Sequence, residues 1–218
     1  MKICEILKKK DVGSIGIGAM IVFIAMVLVA GIAASVLVQT SNKLEMQAMQ
    51  TGQETTAEVA TGICVHDIEG DVSTDIKYLA ILVGPRAGST EIDLSETYIE
   101  ISDTVMKNVL KYKGGEFQTT SNISGDIFNP NFFDTLYATS FGVIVVEDAD
   151  SSCSATSPVI NRGDKVLLTV HCTTSKVFNR EIPERTDIWG MVQAEDGSAG
   201  VFSFRTPSSY SDTCYDLY

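Results

Sequence analysis

Apolar and polar positions divide this chain into two regimes. Residues 12–42 form a run of 31 without one charge, and within it residues 15–38 hold fifteen large apolar side chains, five Ala, three Gly and one Ser. At about 1.5 Å per residue that inner stretch makes about 36 Å of helix, enough to cross a hydrocarbon core of about 30 Å. The helical pattern does not end there. Residues 39–60 contain no Pro and no turn cluster, and Met46, Met49, Gln53, Ala57 and Ala60 recur at three- and four-residue steps. Gly52 weakens the pattern by about 1 kcal/mol relative to Ala, and Gly62 offers a stop because Gly adopts the left-handed cap freely. One helix over residues 14–61, roughly 70 Å long, is the expectation.

From Ile63 onward the pattern changes to short β-branched runs separated by Gly, Ser, Asp and Pro clusters, which predicts an all-β region. Strands are expected at 63–68, 76–83, 97–102, 105–112, 141–146, 165–172, 187–194 and 200–205. Gly84-Pro85-Arg86-Ala87-Gly88, Lys113-Gly114-Gly115 and Asn161-Arg162-Gly163-Asp164 read as turns. Residues 117–137 are the least regular and read as long exposed loops. Seven or eight short strands in this length suit a two-sheet sandwich of immunoglobulin-like type. The fold class is therefore α+β, with a long hydrophobic helix over residues 14–62 and a sandwich over residues 63–218.

Charge orients the helix. Lys2, Lys8, Lys9 and Lys10 precede it and an acid-rich region follows, which keeps the start of the chain cytoplasmic. The whole chain has a formal charge of −12; without residues 1–13, which carry four of the 16 basic and two of the 28 acidic residues, the charge is −14. Such a surface argues against nucleic acid or anionic lipid as a partner. Packing many copies together requires screening by salt or bound cations. Cys4 lies near the start; Cys64, Cys153, Cys172 and Cys214 are even in number and leave both free thiols and up to two bridges open. With no CxxC pair a zinc knuckle is not expected.

Little else points to chemistry. His66 and His171 are the only histidines, and each falls in an expected strand where a half-buried structural role suffices. No GxSxG, HExxH or glycine-rich phosphate loop occurs, so an enzyme is not expected. The acidic groups Glu69-Gly70-Asp71 with Asp75, and Glu147-Asp148-Ala149-Asp150, offer oxygen ligands for Ca²⁺ without the EF-hand spacing. Asn122-Ile123-Ser124 is the sole N-x-[ST] sequon.

The helix itself interleaves bulk at Met20, Phe23, Met26 and Leu28 with small residues at i, i+4, Ala30 with Ala34 and Gly31 with Ser35. Pairs of that kind let neighbouring helices approach closely. The segment Lys8-Lys9-Lys10-Asp11-Val12-Gly13 ahead of Ser14-Ile15-Gly16-Ile17-Gly18-Ala19-Met20 resembles the class III signal of archaellins, the archaeal flagellins. The tail Phe204-Arg205-Thr206-Pro207-Ser208-Ser209-Tyr210-Ser211-Asp212-Thr213 resembles archaellin tails. Two departures stand beside the likeness: Cys214-Tyr215-Asp216-Leu217-Tyr218 is less plainly apolar than such tails, and Gly18 occupies the fifth mature position where type IV pilins usually have Glu.

The resemblance implies that a prepilin-like signal peptidase removes residues 1–13 between Gly13 and Ser14, so that the apolar segment is retained. It further implies a structural subunit of the archaeal motility filament, N-glycosylation at Asn122, assembly at a membrane platform, and identical or related subunits as partners. An adhesive pilin and a single-pass anchored ectodomain have the same topology and are the rivals. Because the peptidase needs a small residue before the cut, Gly13→Val should leave unprocessed protein in the membrane fraction and no filaments. Normal filaments from that variant, seen by electron microscopy, would refute the processing reading.

Overall fold

The computed structural model describes the backbone of residues 2–218 and the side chains of residue 13 and of residues 15–218. The side chains of Cys4, the early lysines and Ser14 lie outside the described residues. Contacts divide the chain into two compact units, residues 1–54 and residues 55–218.

The first unit is helical. Helix α1 runs Lys2–Ala60, continuous through the expected processing site and past the apolar run. At the end of that run the Thr40 hydroxyl donates to the Leu37 carbonyl at 2.9 Å, which satisfies it without a partner from elsewhere. The helix ends differently from the expectation. The Thr61 N–H still donates to Ala57 O at 2.7 Å, but Gly62 is not left-handed. It forms a parallel bridge with Ser198, and a Cβ there would lie 2.3 Å from Ser198 Oγ. Close backbone approach, not cap conformation, is what requires glycine at this position.

In the second unit the chain proceeds through β1 (Ile63–Val72), β2 (Ile76–Pro85), β3 (Ile92–Asp93), β4 (Tyr98–Ser102), β5 (Lys107–Thr119) and the short helix α2 (Pro130–Phe133). It continues through β6 (Ser140–Glu147), β7 (Val159–Ile160), β8 (Lys165–His171), β9 (Asp187–Gln193), β10 (Gly200–Arg205) and β11 (Cys214–Asp216). All eight expected strands are present. Nine strands form one hydrogen-bonded sheet in the order β10-β9-β4-β5-β6-β8-β2-β1-β11, with β3 and β7 as a separate pair. The expected sandwich layers are thus two halves of a single sheet curled over itself. One face of every long strand feeds the same core, including Leu79, Ile81, Ile101, Val143, Leu168 and Phe202. The curl brings β10 back to β1, where a Cβ on Gly200 would lie 3.0 Å from Ile63 O.

Every neighbouring pair described in the large sheet is antiparallel except β5 with β6. A parallel pair needs a long crossover connection, and residues 120–139 supply it. This corrects the expectation of exposed loops over residues 117–137 in part: much of the segment is exposed turn, but it is anchored to the sheet. Residues 117–119 extend β5, and Ile123, Phe132, Phe133 and Leu136 bury against Tyr78, Ala80, Ile144 and Leu167 on the outer face of the sheet. Strands β2, β6 and β8 are therefore covered on both faces, which accounts for their near-continuous apolar sequences. By contrast β10 alternates buried and exposed residues. Gly142 allows the crossover to lie close, because a Cβ would meet Phe132 at 2.6 Å and Thr169 Oγ1 at 2.7 Å.

The expected turn at Lys113-Gly114-Gly115 is a bulge inside β5. Register against β6 jumps between Tyr112 and Phe117, and Gly115 takes φ +102°, which glycine adopts at low cost. Cys64, Cys153, Cys172 and Cys214 are all free, so the question of bridges resolves in favour of thiols. Burial pushes the Cys153 thiol up to about 12, and Cys172 further still, so both pack as apolar groups.

Candidate functional site

The residues singled out along α1 share one property: all are exposed within their own chain. Met20 is 65% exposed, Phe23 68%, Met26 66% and Leu28 61%, and Ala30, Gly31, Ala34 and Ser35 are exposed beside them. Among the described residues, the helical stretch Ile15–Ala60 alone is long and apolar enough to cross a membrane, and its apolar window has nothing buried within the chain. At about 100° per residue, Ala30, Ala34, Gly31 and Ser35 fall within an arc of about 140°, with Met20 and Phe23 on the same arc towards the N-terminus. Met26 and Leu28 flank it. The arrangement is a shallow groove of small residues bordered by bulk, on a helix that is apolar all round. Such a helix is stable only when covered by lipid or protein. Gly13 is exposed and meets nothing within 4 Å. The Ser14 side chain lies outside the described residues.

The sequon sits on a turn of the crossover. Its middle residue, Ile123, is 3% exposed and anchored in the outer core, while Asn122 and Ser124 on either side are exposed. The anchor holds both flanking side chains towards solvent.

Of the two acidic groups, one does not gather and the other gathers differently. Among the described residues, no carboxylate grouping able to hold a metal includes Glu69, Asp71 or Asp75. Burial, together with Asp67 and Asp216, instead raises the Glu69 carboxyl above its ordinary range. In the second group Glu147 points away to pair with Lys165 at 3.3 Å. Asp148 and Asp150 are joined by Asp164 from the β7–β8 turn, one oxygen of each within 4.8 Å of the others. Asp148 accepts from the Ser151 amide at 2.8 Å, Asp164 from the Asn161 amide at 2.8 Å and Asp150 from Asn161 Nδ2 at 2.6 Å. The Asn161 bond, with the Ser152 bonds, lowers the Asp150 carboxyl. By sequence Asp164 is a turn residue; nothing in its local spacing signals a tertiary partner.

The histidines carry no catalytic arrangement. His66 is exposed on β1, not half-buried as expected. His171 is 3% exposed. Its Nδ1 faces the Phe133 carbonyl at 2.9 Å, which can only accept, so Nδ1 carries the proton and Nε2 accepts from the Thr173 hydroxyl at 2.9 Å. Burial depresses its pKa below the usual value of 6.5, opposed by the Phe133 bond.

Comparison with known proteins agrees with the geometry. The profile of the archaeal-type flagellin family matches residues 13–204. Flagellin B2 of Methanocaldococcus jannaschii is 43% identical over 215 residues, covering 98% of this chain and 97% of that protein. The crystal structure of flagellin FlaB1 from the same organism superposes with a TM-score of 0.65 at 33% identity, over 72% of this chain and 97% of that one. The archaeal flagellum of Methanospirillum hungatei gives a TM-score of 0.61 at 12% identity, over 93% of this chain and 98% of that one, a likeness of fold.

His171 sets a pH dependence. A folded pKa below the unfolded one means the unfolded chain binds the extra proton first, so stability is full above about pH 6.5 and falls as pH drops below it. The unfolding temperature of the purified protein should fall between pH 7.5 and 5.5 more steeply in the wild type than in His171→Gln. Equal slopes would remove His171 from the account. A helix that must be covered, a covered-sheet domain behind it and the matched sequences lead to one conclusion: the chain belongs to the archaeal-type flagellin family.

Proposed function

We propose that α1 is the polymerising element of this flagellin, and that the chain is laid down through it as a structural, non-enzymatic subunit of the archaeal flagellum filament. The observation that carries this is that every residue of 15–38 is exposed within its own chain, on a helix apolar around its circumference. Moving fifteen large apolar side chains into water costs on the order of 20–40 kcal/mol, at about 1.5–3 each. Moving them from lipid into a bundle of the same helices changes little in hydrophobic terms, so close packing along the small-residue groove drives the transfer. Assembly is then effectively one-way.

In this reading residues 1–13 are removed between Gly13 and Ser14 by a prepilin-like signal peptidase. The precursor waits in the cell membrane, an assembly platform there feeds subunits into the filament, and the β-unit faces the exterior with a glycan on Asn122. Identical or related subunits are its partners, joined head to tail in an open helical array. Asp148, Asp150 and Asp164 offer a hard, all-oxygen donor set of the kind Ca²⁺ takes, and a cation there would offset part of the repulsion within a subunit of charge −14 once residues 1–13 are gone.

Two outcomes test these proposals. Ala30→Asp places a charge in the groove where a bundle core offers no partner; it should yield processed protein that stays in the membrane fraction, whereas Ala30→Gly should still assemble. Filaments of wild-type length from Ala30→Asp would overturn the packing argument. Chelation should lower the unfolding temperature of wild-type protein and leave Asp164→Asn unchanged; no shift in the wild type would remove the cation.

A further inference from the structure

The bulge in β5 and the crossover enclose a cleft of about 500 Å³, within the range of about 300–1,000 Å³ typical of small-molecule sites. Its lining includes Lys113, Glu116, Gln118, Asn131 and Tyr137, and also Asn122, the first residue of the sequon. Glu116 is the feature that points to a ligand. It is 5% exposed; one carboxylate oxygen accepts from the Ser140 hydroxyl at 2.9 Å, and the other is buried with no hydrogen-bond partner. Burial raises its carboxyl above the ordinary range, against the Ser140 bond and the nearby Lys113 and Lys176. A buried acceptor without a donor is unfavourable and is normally satisfied.

The remaining lining defines the donor. Lys113 sits over the Tyr137 ring, its Nζ 3.5 Å from the centroid, and Tyr137 is 56% exposed. One ammonium and one carboxyl leave the cleft without strong preference for an ion of either sign. Side-chain amides that both donate and accept, an exposed aromatic ring and an orphan acceptor match a neutral polyhydroxylated ring.

We propose that the cleft seats the first sugars of a glycan carried on Asn122, with the free Glu116 oxygen accepting a sugar hydroxyl and the Tyr137 ring packing on a sugar face. This rests on the reading that Asn122 is glycosylated. Attachment at the wall of the cleft makes the contact intramolecular, so the effective concentration is of the order of mM and weak individual contacts suffice. The glycan then shields the bulge and the crossover instead of extending freely into solvent.

Hydroxyl-radical footprinting of native filaments, read by peptide mass spectrometry, tests this against Ser124→Ala, which destroys the sequon but keeps Asn122. If filaments do not form, the same labelling is read on the membrane-bound protein. Tyr137 oxidation should rise several-fold in Ser124→Ala. A glycan on Asn122 with equal Tyr137 oxidation in both proteins overturns the seating and leaves glycosylation standing. An unmodified Asn122 peptide from the wild type overturns both. In a second measurement, Tyr137→Ala should speed enzymatic trimming of the glycan several-fold; an unchanged rate counts against the cleft.

Discussion

The apolar circumference of residues 15–38 is the constraint on which everything else depends. A globular helix hides one stripe and wets the other, but here no side of the helix can be left in water, and its own chain buries none of the apolar window. On the reading proposed above, lipid meets that demand before assembly, and other copies of the same helix meet it in the filament. Between those two environments the hydrophobic term nearly cancels, which shifts the burden to fit. On that proposal Ala30, Gly31, Ala34 and Ser35 would set how near a neighbouring backbone can come.

The β-unit faces a different demand. Its outer surface must tolerate water and many copies of a strongly acidic neighbour. One sheet curled into two layers supplies the main core, and the parallel pairing of strands β5 and β6 makes a crossover obligatory. That crossover covers the outer face of the sheet through Phe132, Phe133 and Leu136. It also brings Asn122 and Tyr137 to one cleft with Glu116 of β5. Topology and surface chemistry are thus linked: the same segment that completes the packing presents the sequon.

The strands were legible because β-branched runs between turn clusters survive in every long strand, and the helix because its apolar run is uninterrupted. Residues 117–137 were less so: Phe132, Phe133 and Leu136 have helical spacing, but over little more than one turn around a four-residue helix, and Ile123 stands alone; their burial depends on a sheet face built by β2, β6 and β8. Strands β3 and β7 have two residues each, too few to show alternation. The helix stops at Ala60, and the need for glycine at position 62 comes from Ser198, far along the chain, which local sequence does not signal. The acidic cluster was half visible: Asp148 and Asp150 are sequence neighbours, while Asp164 reaches them only through the fold. Along α1 the candidate residues carry a pattern, and their own chain leaves them exposed.

The most direct test is a helical reconstruction of the native filament at side-chain resolution. The account predicts a subunit that begins at Ser14, with Met20, Phe23 and Ala30 enclosed by the same segment of neighbouring copies. A subunit that retains its lysine-rich start, or one whose residues 15–38 face solvent or lipid in the assembled state, would contradict it.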